Sequence, residues 1–339
     1  MAKRKLTRKQ SWRVKKIQNE RTERMRKQQE KQDRLITGGD LGPEQEGLVI
    51  THYGSQLDIE CLNDHQKGVI FRCHLRANIE GLVTGDRVVW RAGKEFTGII
   101  VASLPRHSVL NRPDTRGKLK PIAANIDQII VVFSPLPKAS SALLDRYLVA
   151  VELSQIEPIL LLNKYDLIDE DEQHLIPMIQ RYRDIGYTVL TSSTKKHQGL
   201  NELQSLLDQR ISVFVGQSGV GKSSLVNSLL PGTELKIGEV SENSGLGIHT
   251  TTSARLFHLP GGGELIDSPG IREFGLWHLK PDELIDGFKE FTPFVGLCKF
   301  RDCNHDKEPG CAILKAVKDG DITSLRFDNY RQILQALSG

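Results

Sequence analysis

The chain has 339 residues, a formal net charge of +4, 38% hydrophobic and 26% charged residues. This composition is more typical of a soluble globular protein than of a disordered chain, and the length predicts two or three domains. No apolar run reaches the roughly 18–20 residues of a membrane span, and the N-terminus lacks the apolar core of a secretory signal. Five cysteines, three of them in one short stretch, favour a metal site over a disulfide framework. We therefore expect a cytoplasmic protein with no membrane contact.

The first 40 residues predict a flexible basic tail. Residues 1–34 contain 14 Lys and Arg against 4 Asp and Glu, a net charge of +10, whereas the rest of the chain carries −6. Two interpretations stay open: a solvated leader, or an arm that neutralises the phosphates of a nucleic acid. A mitochondrial transit peptide is disfavoured, because the tail holds acidic residues and almost no serine.

Residues 41–105 predict a small barrel. Short alternating runs broken by glycine indicate five strands between residues 47 and 104. An OB-fold is the commonest five-stranded barrel that binds oligonucleotides, although an SH3-like barrel would give a similar pattern. Phe71, Arg72, His74 and Arg76 form either a nucleic-acid face or simply the outer side of this barrel.

Residues 106–278 predict an α/β domain. After a linker at residues 105–121, buried strands and amphipathic helices alternate, which favours a parallel sheet covered on both faces. A hairpin with a glycine turn follows, and its second strand ends at Asp267. The remaining residues, 279–339, are predicted to be helical apart from a cysteine cluster.

The segment GQSGVGKSS follows the strand ISVFV and opens a helix, which is the context that a phosphate-binding loop requires. Backbone N–H groups and the helix N-terminus would bind phosphate oxygens there. Lys222 would reach the β- and γ-phosphates, and the Ser223 hydroxyl would ligate Mg²⁺. The candidate residues of this loop are Gly216, Gln217, Ser218, Gly219, Val220, Gly221, Lys222, Ser223 and Ser224.

The segment NKYD ends an apolar strand, at the sheet edge where open α/β sheets bind ligands. An Asp166 carboxylate there accepts hydrogen bonds from N1–H and the exocyclic amine of guanine. Adenine would leave it buried and unpaired, which is costly. Lys164 would lie over the base, and Asn163 would brace the loops. The candidate base-binding residues are Asn163, Lys164, Tyr165 and Asp166.

The segment TSSTK ends the next strand and would offer N–H groups to guanine O6, with Ser193 and Thr194 as the favoured register. Asp267, in LIDSPG, would hold Mg²⁺ through a water molecule, and the Gly270 N–H would meet the γ-phosphate.

The loop SENSGLGIHTTTSAR lies between the phosphate loop and Asp267. Of its three consecutive threonines, Thr251 is the favoured Mg²⁺ ligand in the triphosphate state. Ile271 stands where Ras-like enzymes carry the glutamine that orients the attacking water. His249 is the candidate replacement, and the alternative is an ordinary exposed loop histidine.

The order of these motifs is unusual, because a Ras-like GTPase has its phosphate loop before its base motif. Each motif ends a strand that points to the same sheet edge. Joining the old termini and opening new ones elsewhere preserves such a pocket, since domain termini tend to lie close together. The sequence therefore predicts a circularly permuted GTPase that binds GTP or GDP with Mg²⁺.

The cysteine cluster has the spacing Cys298-x4-Cys303-x-His305-x5-Cys311. Three thiolates and one imidazole match a tetrahedral Cys₃His structural Zn²⁺ site; the alternative is three free thiols beside a surface histidine. Cys61 and Cys73 are expected to be core thiols of the barrel.

A barrel followed in order by NKYD, GQSGVGKSSLVN, GIHTTT, DSPGIREFGLWHL and the cysteine cluster resembles the RsgA (YjeQ) family of bacterial GTPases. The resemblance covers nearly everything after the basic tail, although TSST is a loose version of the second base-contact motif. It implies an OB-fold, a circularly permuted G domain and a zinc-binding domain. It assigns the guanine, phosphate-loop and zinc residues to the positions named above.

The resemblance also implies GTP hydrolysis that the small ribosomal subunit stimulates, late in the maturation of that subunit. The implied partners are the small subunit, its rRNA and other small-subunit assembly factors, and we expect a monomer. One alternative is an RNA-binding protein that uses GTP only as a switch. A signalling or membrane GTPase is disfavoured, because the sequence has no lipidation signal. An ATPase is disfavoured, because Asp166 would pair with guanine and not with adenine.

Overall fold

The computed structural model describes residues 41–76, 79, 81–114, 117–169, 173–230, 254–267 and 279–338. These residues form two compact units. One contains the described residues up to Leu82 together with Arg87–Pro105, and the other contains Val83–Asp86 together with the described residues from Arg106 onward. The predicted basic tail lies outside the described residues. Within the described ranges, no helix is both long and apolar enough to cross a membrane.

The first unit is a closed five-stranded barrel. Its strands are β1 (Glu44–Tyr53), β2 (Gln56–Cys61), β3 (Ile70–Leu75), β4 (Arg87–Ala92) and β5 (Thr97–Ser103). They pair in the order β1–β2–β3–β5–β4, and β4 returns to β1. Only the β3–β5 pair among these is parallel. This is the five-stranded Greek-key closure of an OB-fold, so the predicted barrel is confirmed.

The barrel core depends on the alternation of its strands. Trp90, Leu57 and Ile59 are fully buried, because successive strand residues point to opposite faces of the barrel wall. Cys73 is also buried, as predicted, and burial raises the pKa of its thiol to about 12. Phe71 packs in the same core, so its interpretation as a surface residue of a nucleic-acid face is wrong. Arg72, the next residue, is exposed.

The segment predicted as a linker is instead a two-stranded antiparallel sheet, formed by β6 (Val109–Pro113) and β7 (Leu119–Ala124). Its turn is closed by the Asp114 side chain, which accepts from the backbone N–H of Lys118 at 3.0 Å. The prolines and charges of this segment suggested a loop, but Leu110, Ala123 and Ala124 are buried.

The second unit is built on a predominantly parallel sheet. Its strands are β8 (Gln128–Phe133), β9 (Glu157–Leu162), β10 (Thr188–Thr191), β11 (Ile211–Val215), β12 (Arg255–His258) and β13 (Glu264–Asp267). Within the unit they lie in the order β10–β9–β8–β11–β13–β12, with β12 antiparallel to β13. The helices are α1 (Ser141–Leu153), α2 (Leu175–Ile185), α3 (Leu200–Leu207) and α4 (Lys222–Leu229).

The central strands are buried on both faces. All six residues of β8, QIIVVF, are buried, which is typical of a parallel strand covered by helices. Ile130 and Val132 pack with residues of α3 and α4, and α1 packs against β8 and β9. The predicted parallel sheet is therefore confirmed, and its carboxyl edge carries the ends of β8, β9, β10 and β11.

The C-terminal region contains α5 (Ala312–Asp319) and α6 (Ser324–Ser338). Before them, the predicted helical segment forms only two 3₁₀ turns, Leu284–Gly287 and Lys289–Phe294. The second of these turns contains Pro293, which has no N–H to donate to an α-helical hydrogen bond. Gly287 lies close to α1, where an added Cβ would lie 2.5 Å from Val149 Cγ1. Val149 belongs to the same core cluster as Phe288, Phe291 and Tyr330.

A buried ion-pair network joins α6 to α1. Arg326 donates to Asp145 at 2.5 Å and through two bonds to Glu290 at 2.5 and 3.0 Å. Asp145 also accepts from Asn329 at 2.6 Å and from the Tyr182 hydroxyl at 2.7 Å. Burial raises the pKa of Asp145, and these partners oppose the rise. The predicted boundary at residue 279 falls inside this second unit and stays a prediction.

Arg326→Ala should destabilise the protein by about 3–5 kcal/mol, because it leaves Asp145 buried without its cation. The measurement is urea unfolding monitored by circular dichroism. Arg331→Ala is the matched control, since Arg331 pairs with Asp306 at the surface and such pairs contribute at most about 1 kcal/mol. Equal losses of stability in the two variants would contradict the role given to the buried network.

Candidate functional site

The predicted base motif and the predicted phosphate loop meet at the carboxyl edge of the sheet. Asn163, directly after β9, is fully buried, and its side-chain amide donates to the Val220 carbonyl at 3.0 Å. Fifty-seven residues of chain separate these two partners. The bond exists because β9, β8 and β11 are parallel neighbours, so the loops after β9 and β11 leave the sheet on the same edge.

Lys164 makes the second connection between the two motifs. Its ammonium group donates to the carbonyls of Gly219 and Leu136, each at 2.7 Å. The residue occupies a left-handed backbone conformation, with φ of 57°, and this turns its side chain away from the strand direction. Lys164 therefore spans the phosphate loop and the loop after β8.

Asp166 is held by the loop after β10. The Ser193 hydroxyl donates to its carboxylate at 2.5 Å, and this hydrogen bond lowers the pKa of Asp166. The Ser193 loop is itself closed, since Ser193 and Gln198 exchange backbone hydrogen bonds of 2.9 and 3.0 Å. An ionised carboxylate of fixed position is what recognition of the guanine edge requires.

The phosphate loop is shaped by its glycines. Gly216 has φ of 137°, and an added Cβ would lie 2.1 Å from the Val132 carbonyl oxygen. Gly221, with φ of 96°, would bring a Cβ within 2.4 Å of Asn163 Nδ2. Both positions therefore require glycine. Lys222, at the start of α4, donates to the carbonyls of Gly216 and Gln217 at 2.6 and 2.7 Å.

The remaining predicted residues of the nucleotide site form three groups. Ser223 lies in the first turn of α4, and Asp267 ends β13, which pairs in parallel with β11. His249, Thr251 and Gly270 lie outside the described residues. The phosphate-loop residues Gln217, Ser218, Gly219 and Ser224 are exposed, and Val220 is buried.

Three contacts of the site are absent from the sequence interpretation. Ser192 donates from its hydroxyl to Asn163 Oδ1 at 3.1 Å, and the Tyr165 N–H donates to the Ser192 carbonyl at 2.9 Å. The Leu136 carbonyl accepts from Lys164. The pair Ser192–Ser193 at the end of β10 is a sequence signal that could have predicted the first two contacts. The contact with the Leu136 carbonyl has no such signal, because every residue has a backbone carbonyl.

A second candidate site lies in the C-terminal region. Cys298, Cys303, His305 and Cys311 place their ligand atoms within 4.8 Å of one another. The two sulfur atoms of Cys298 and Cys311 are 3.8 Å apart, and His305 Nδ1 lies 3.6 and 3.3 Å from them. Tetrahedral coordination with metal–sulfur bonds of about 2.3 Å and metal–nitrogen bonds of about 2.0 Å requires sulfur–sulfur distances of about 3.8 Å and sulfur–nitrogen distances of about 3.5 Å. The four residues therefore form a group that fits a metal ion.

Helix α5 and one loop carboxylate shape this cluster. Cys298 and Cys311 accept from the backbone N–H groups of Ala312 and Leu314 at 3.3 and 3.4 Å. Burial opposes ionisation of Cys298, but the N–H groups at the start of α5 bring the pKa of its thiol below the ordinary value. Hydrogen bonds from the backbone N–H of Glu308 itself and from three further backbone N–H groups of the His305 loop hold the pKa of the Glu308 carboxyl at about 2.

Comparison with known proteins identifies the family. The sequence model of the RsgA GTPase family matches residues 103–277. The small ribosomal subunit biogenesis GTPase RsgA of Pseudomonas fluorescens (strain Pf0-1) is 57% identical over 338 residues, covering 99% of this chain and 98% of the relative. The chain belongs to the RsgA family of GTPases.

Solved structures of RsgA-like proteins share the fold. YjeQ from Thermotoga maritima matches with a TM-score of 0.73 and 31% identity, covering 88% of this chain and 99% of that one. YloQ, described as a circularly permuted GTPase, matches with a TM-score of 0.70 and 31% identity, covering 87% and 96%. The chain is therefore a GTP hydrolase, and its family implies GTP or GDP and Mg²⁺ as ligands.

Asp166→Asn should weaken GTP binding by about 10- to 100-fold, because a hydrogen bond to a charged group contributes roughly 1.5–3 kcal/mol. Xanthosine triphosphate should bind the variant better than the native chain, since xanthine carries a carbonyl where guanine carries an amine. Fluorescent nucleotide titration measures both affinities. Asp169→Asn, an exposed carboxylate of the same loop, is the control and should leave GTP affinity unchanged. Unaltered guanine selectivity in Asp166→Asn would contradict the assignment.

Proposed function

We propose that this protein hydrolyses GTP during late maturation of the small ribosomal subunit, and that the subunit stimulates the hydrolysis. The observation that carries the proposal is the Asn163–Val220 hydrogen bond, which joins a guanine motif and a phosphate loop into one pocket despite their permuted order. The name of the relatives, small ribosomal subunit biogenesis GTPase, supports the small ribosomal subunit as the assembly on which this protein acts. The coupling of hydrolysis to release, or to a checkpoint of assembly, is part of the proposal.

Within this pocket the residue roles follow from position and chemistry. Asp166 would accept from the guanine edge, the loop at Ser193 and Thr194 would face O6, and Lys164 would lie over the base. Phosphates would bind to the N–H groups between Gly216 and Ser224, at the N-terminus of α4. Lys222 would turn from its own loop carbonyls to the β- and γ-phosphates and offset charge in the transition state.

Further residues of this pocket would bind Mg²⁺ and orient the attacking water. Mg²⁺ would bind the Ser223 hydroxyl, Asp267 through a water molecule, and Thr251. The Gly270 N–H would meet the γ-phosphate, and His249 would orient the water that attacks phosphorus as GDP leaves. Because Ile271 stands where a water-orienting glutamine is found in Ras-like enzymes, we expect a low intrinsic rate.

The metal of the C-terminal cluster is proposed to be Zn²⁺. Three thiolates and one imidazole match the ligand preference of zinc, and the ligand-to-ligand distances fit a closed tetrahedral site. A closed site leaves no position for substrate, so the role of the metal is structural.

We propose that rRNA of the small subunit contacts the barrel, the basic tail and the metal-binding region, with other small-subunit assembly factors nearby. The protein would act as a monomer in the cytoplasm, where ribosome assembly takes place in bacteria.

GTP turnover should rise by about one to several orders of magnitude when purified small subunits are added, as for GTPases that a partner completes. The stimulation should fall as salt rises, because phosphate contacts release counterions. The measurement is phosphate release at two salt concentrations, with large subunits at equal concentration as the control. Equal turnover with and without small subunits would refute the proposed function.

The purified chain should contain one zinc ion, and Cys303→Ser should lower the zinc content well below one. Zinc released by a mercurial reagent is measured with a chromophoric chelator. Cys61→Ala, which removes a buried barrel thiol, is the matched control and should keep its zinc. A zinc content that is equal in both variants would contradict the ligand assignment.

A further inference from the structure

The hairpin turn between β4 and β5 exposes an aromatic side chain. Phe96 is 65% exposed, the largest exposed fraction among the aromatic residues of the described chain. Burial of a Phe side chain normally stabilises a protein by about 1.5–3 kcal/mol, and this one is left in solvent at the tip of a hairpin.

The backbone of this turn is also in an unfavourable conformation. Glu95 and Phe96 have φ of 53° and 54°, and the turn is closed by the Thr97 N–H, which donates to the Lys94 carbonyl at 3.1 Å. Positive φ at both central residues is the feature of a type I′ turn, for which Asn-Gly is strongly preferred. A glutamate and a bulky aromatic therefore occupy positions that two small residues would fill with less strain.

The phenyl ring is nevertheless held in place. Phe96 packs on Phe71 with ring centroids 5.7 Å apart, and Phe71 packs on the buried Trp90 at 4.7 Å. The Phe96 carbonyl accepts from the Arg72 N–H at 2.9 Å. The Phe96 ring therefore contacts Phe71 of the barrel core while most of its surface faces solvent.

A second flat surface lies on the neighbouring strands. The Arg72 guanidinium stacks over the Tyr53 ring, 4.8 Å from its centroid, and Tyr53 is 47% exposed at the end of β1. Asp58 binds the guanidinium through both carboxylate oxygens, the second at 3.1 Å from Nη2. This bidentate pair fixes the plane of Arg72.

These surfaces lie at the end of β1, on β3 and in the β4–β5 turn of an OB-fold. The β2–β3 face and the β1–β2 and β4–β5 loops are where OB-folds bind oligonucleotides. Aromatic rings and guanidinium planes are the groups on which unpaired bases stack.

We propose that Phe96 and the Tyr53–Arg72 pair form a stacking platform for unpaired RNA bases. This proposal extends the proposed function. It rests on the proposed function in one respect only, which is the identification of the natural RNA as rRNA. The charges here are balanced, since Asp58 pairs with Arg72 and Glu95 adjoins Lys94. Stacking, and not phosphate attraction, therefore supplies the binding energy at this surface, and single-stranded RNA is favoured over a duplex.

The test is the affinity of the full chain for a fluorescent single-stranded RNA of about 12 nucleotides, measured by anisotropy without nucleotide. Phe96→Ala should bind about 5- to 100-fold more weakly, since one stacked base contributes roughly that factor. The slope of affinity against salt should stay the same, because no phosphate contact is removed. Phe96→Trp should retain affinity, and the emission of its new indole should be quenched on binding.

Leu119→Trp is the matched control, because Leu119 is 50% exposed but lies on β7, outside the barrel. Its added indole should keep its emission when RNA binds. A change of salt slope in Phe96→Ala, or unquenched emission in Phe96→Trp, would overturn the stacking role.

A double variant separates function from folding. Glu95→Asn with Phe96→Gly installs the preferred type I′ pair, so the barrel should melt at a higher temperature than the native chain while RNA affinity falls as in Phe96→Ala. Native RNA affinity in this double variant, or a native chain that does not bind single-stranded RNA, would overturn the proposal. Neither result bears on GTP turnover with small subunits, so failure here is distinct from failure of the proposed function.

Discussion

The hydrogen bond from the Asn163 amide to the Val220 carbonyl is the contact on which the nucleotide site depends. This bond fixes the end of β9 to the loop after β11. Residue 221 must be glycine, because a Cβ at this position would displace the Asn163 amide. Chain order has no part in this contact. Parallel strands that lie side by side deliver their following loops to one edge, whatever the order in which the chain visits them. A permuted GTPase therefore keeps the pocket of an unpermuted one.

The C-terminal region is packed on the helix that follows β8. Val149 of α1 shares a core with Phe288 and Phe291, and Arg326 of α6 binds Asp145 of α1. The loop before α1 in turn contributes the Leu136 carbonyl that accepts from Lys164. The metal-binding region and the nucleotide pocket are thus connected by consecutive packed contacts within one unit.

The sequence predicts what depends on local pattern. Alternation in the barrel strands and the buried run of β8 are visible in the residues themselves, and so are the spacings of the phosphate loop and the cysteine cluster. The β6–β7 hairpin is missed, because prolines and charges hide the few buried residues that stabilise it. The 3₁₀ turns after residue 283 are missed, although Pro293 lies inside the second of them. The close approach of Gly287 to Val149 is a long-range contact that leaves no local signal. The Arg326 network leaves no local signal, since its partners are 36 and 181 residues away.

The account claims that one nucleotide touches both motifs, and photo-crosslinking tests this claim most directly. In 6-thioguanosine triphosphate the reactive sulfur replaces guanine O6, so irradiation should label a peptide between residues 163 and 196. The label should disappear in Lys222→Ala, because the phosphate loop and the base loops hold the same molecule. Undiminished labelling of that peptide in Lys222→Ala, or labelling confined to other parts of the chain, would contradict a single shared pocket.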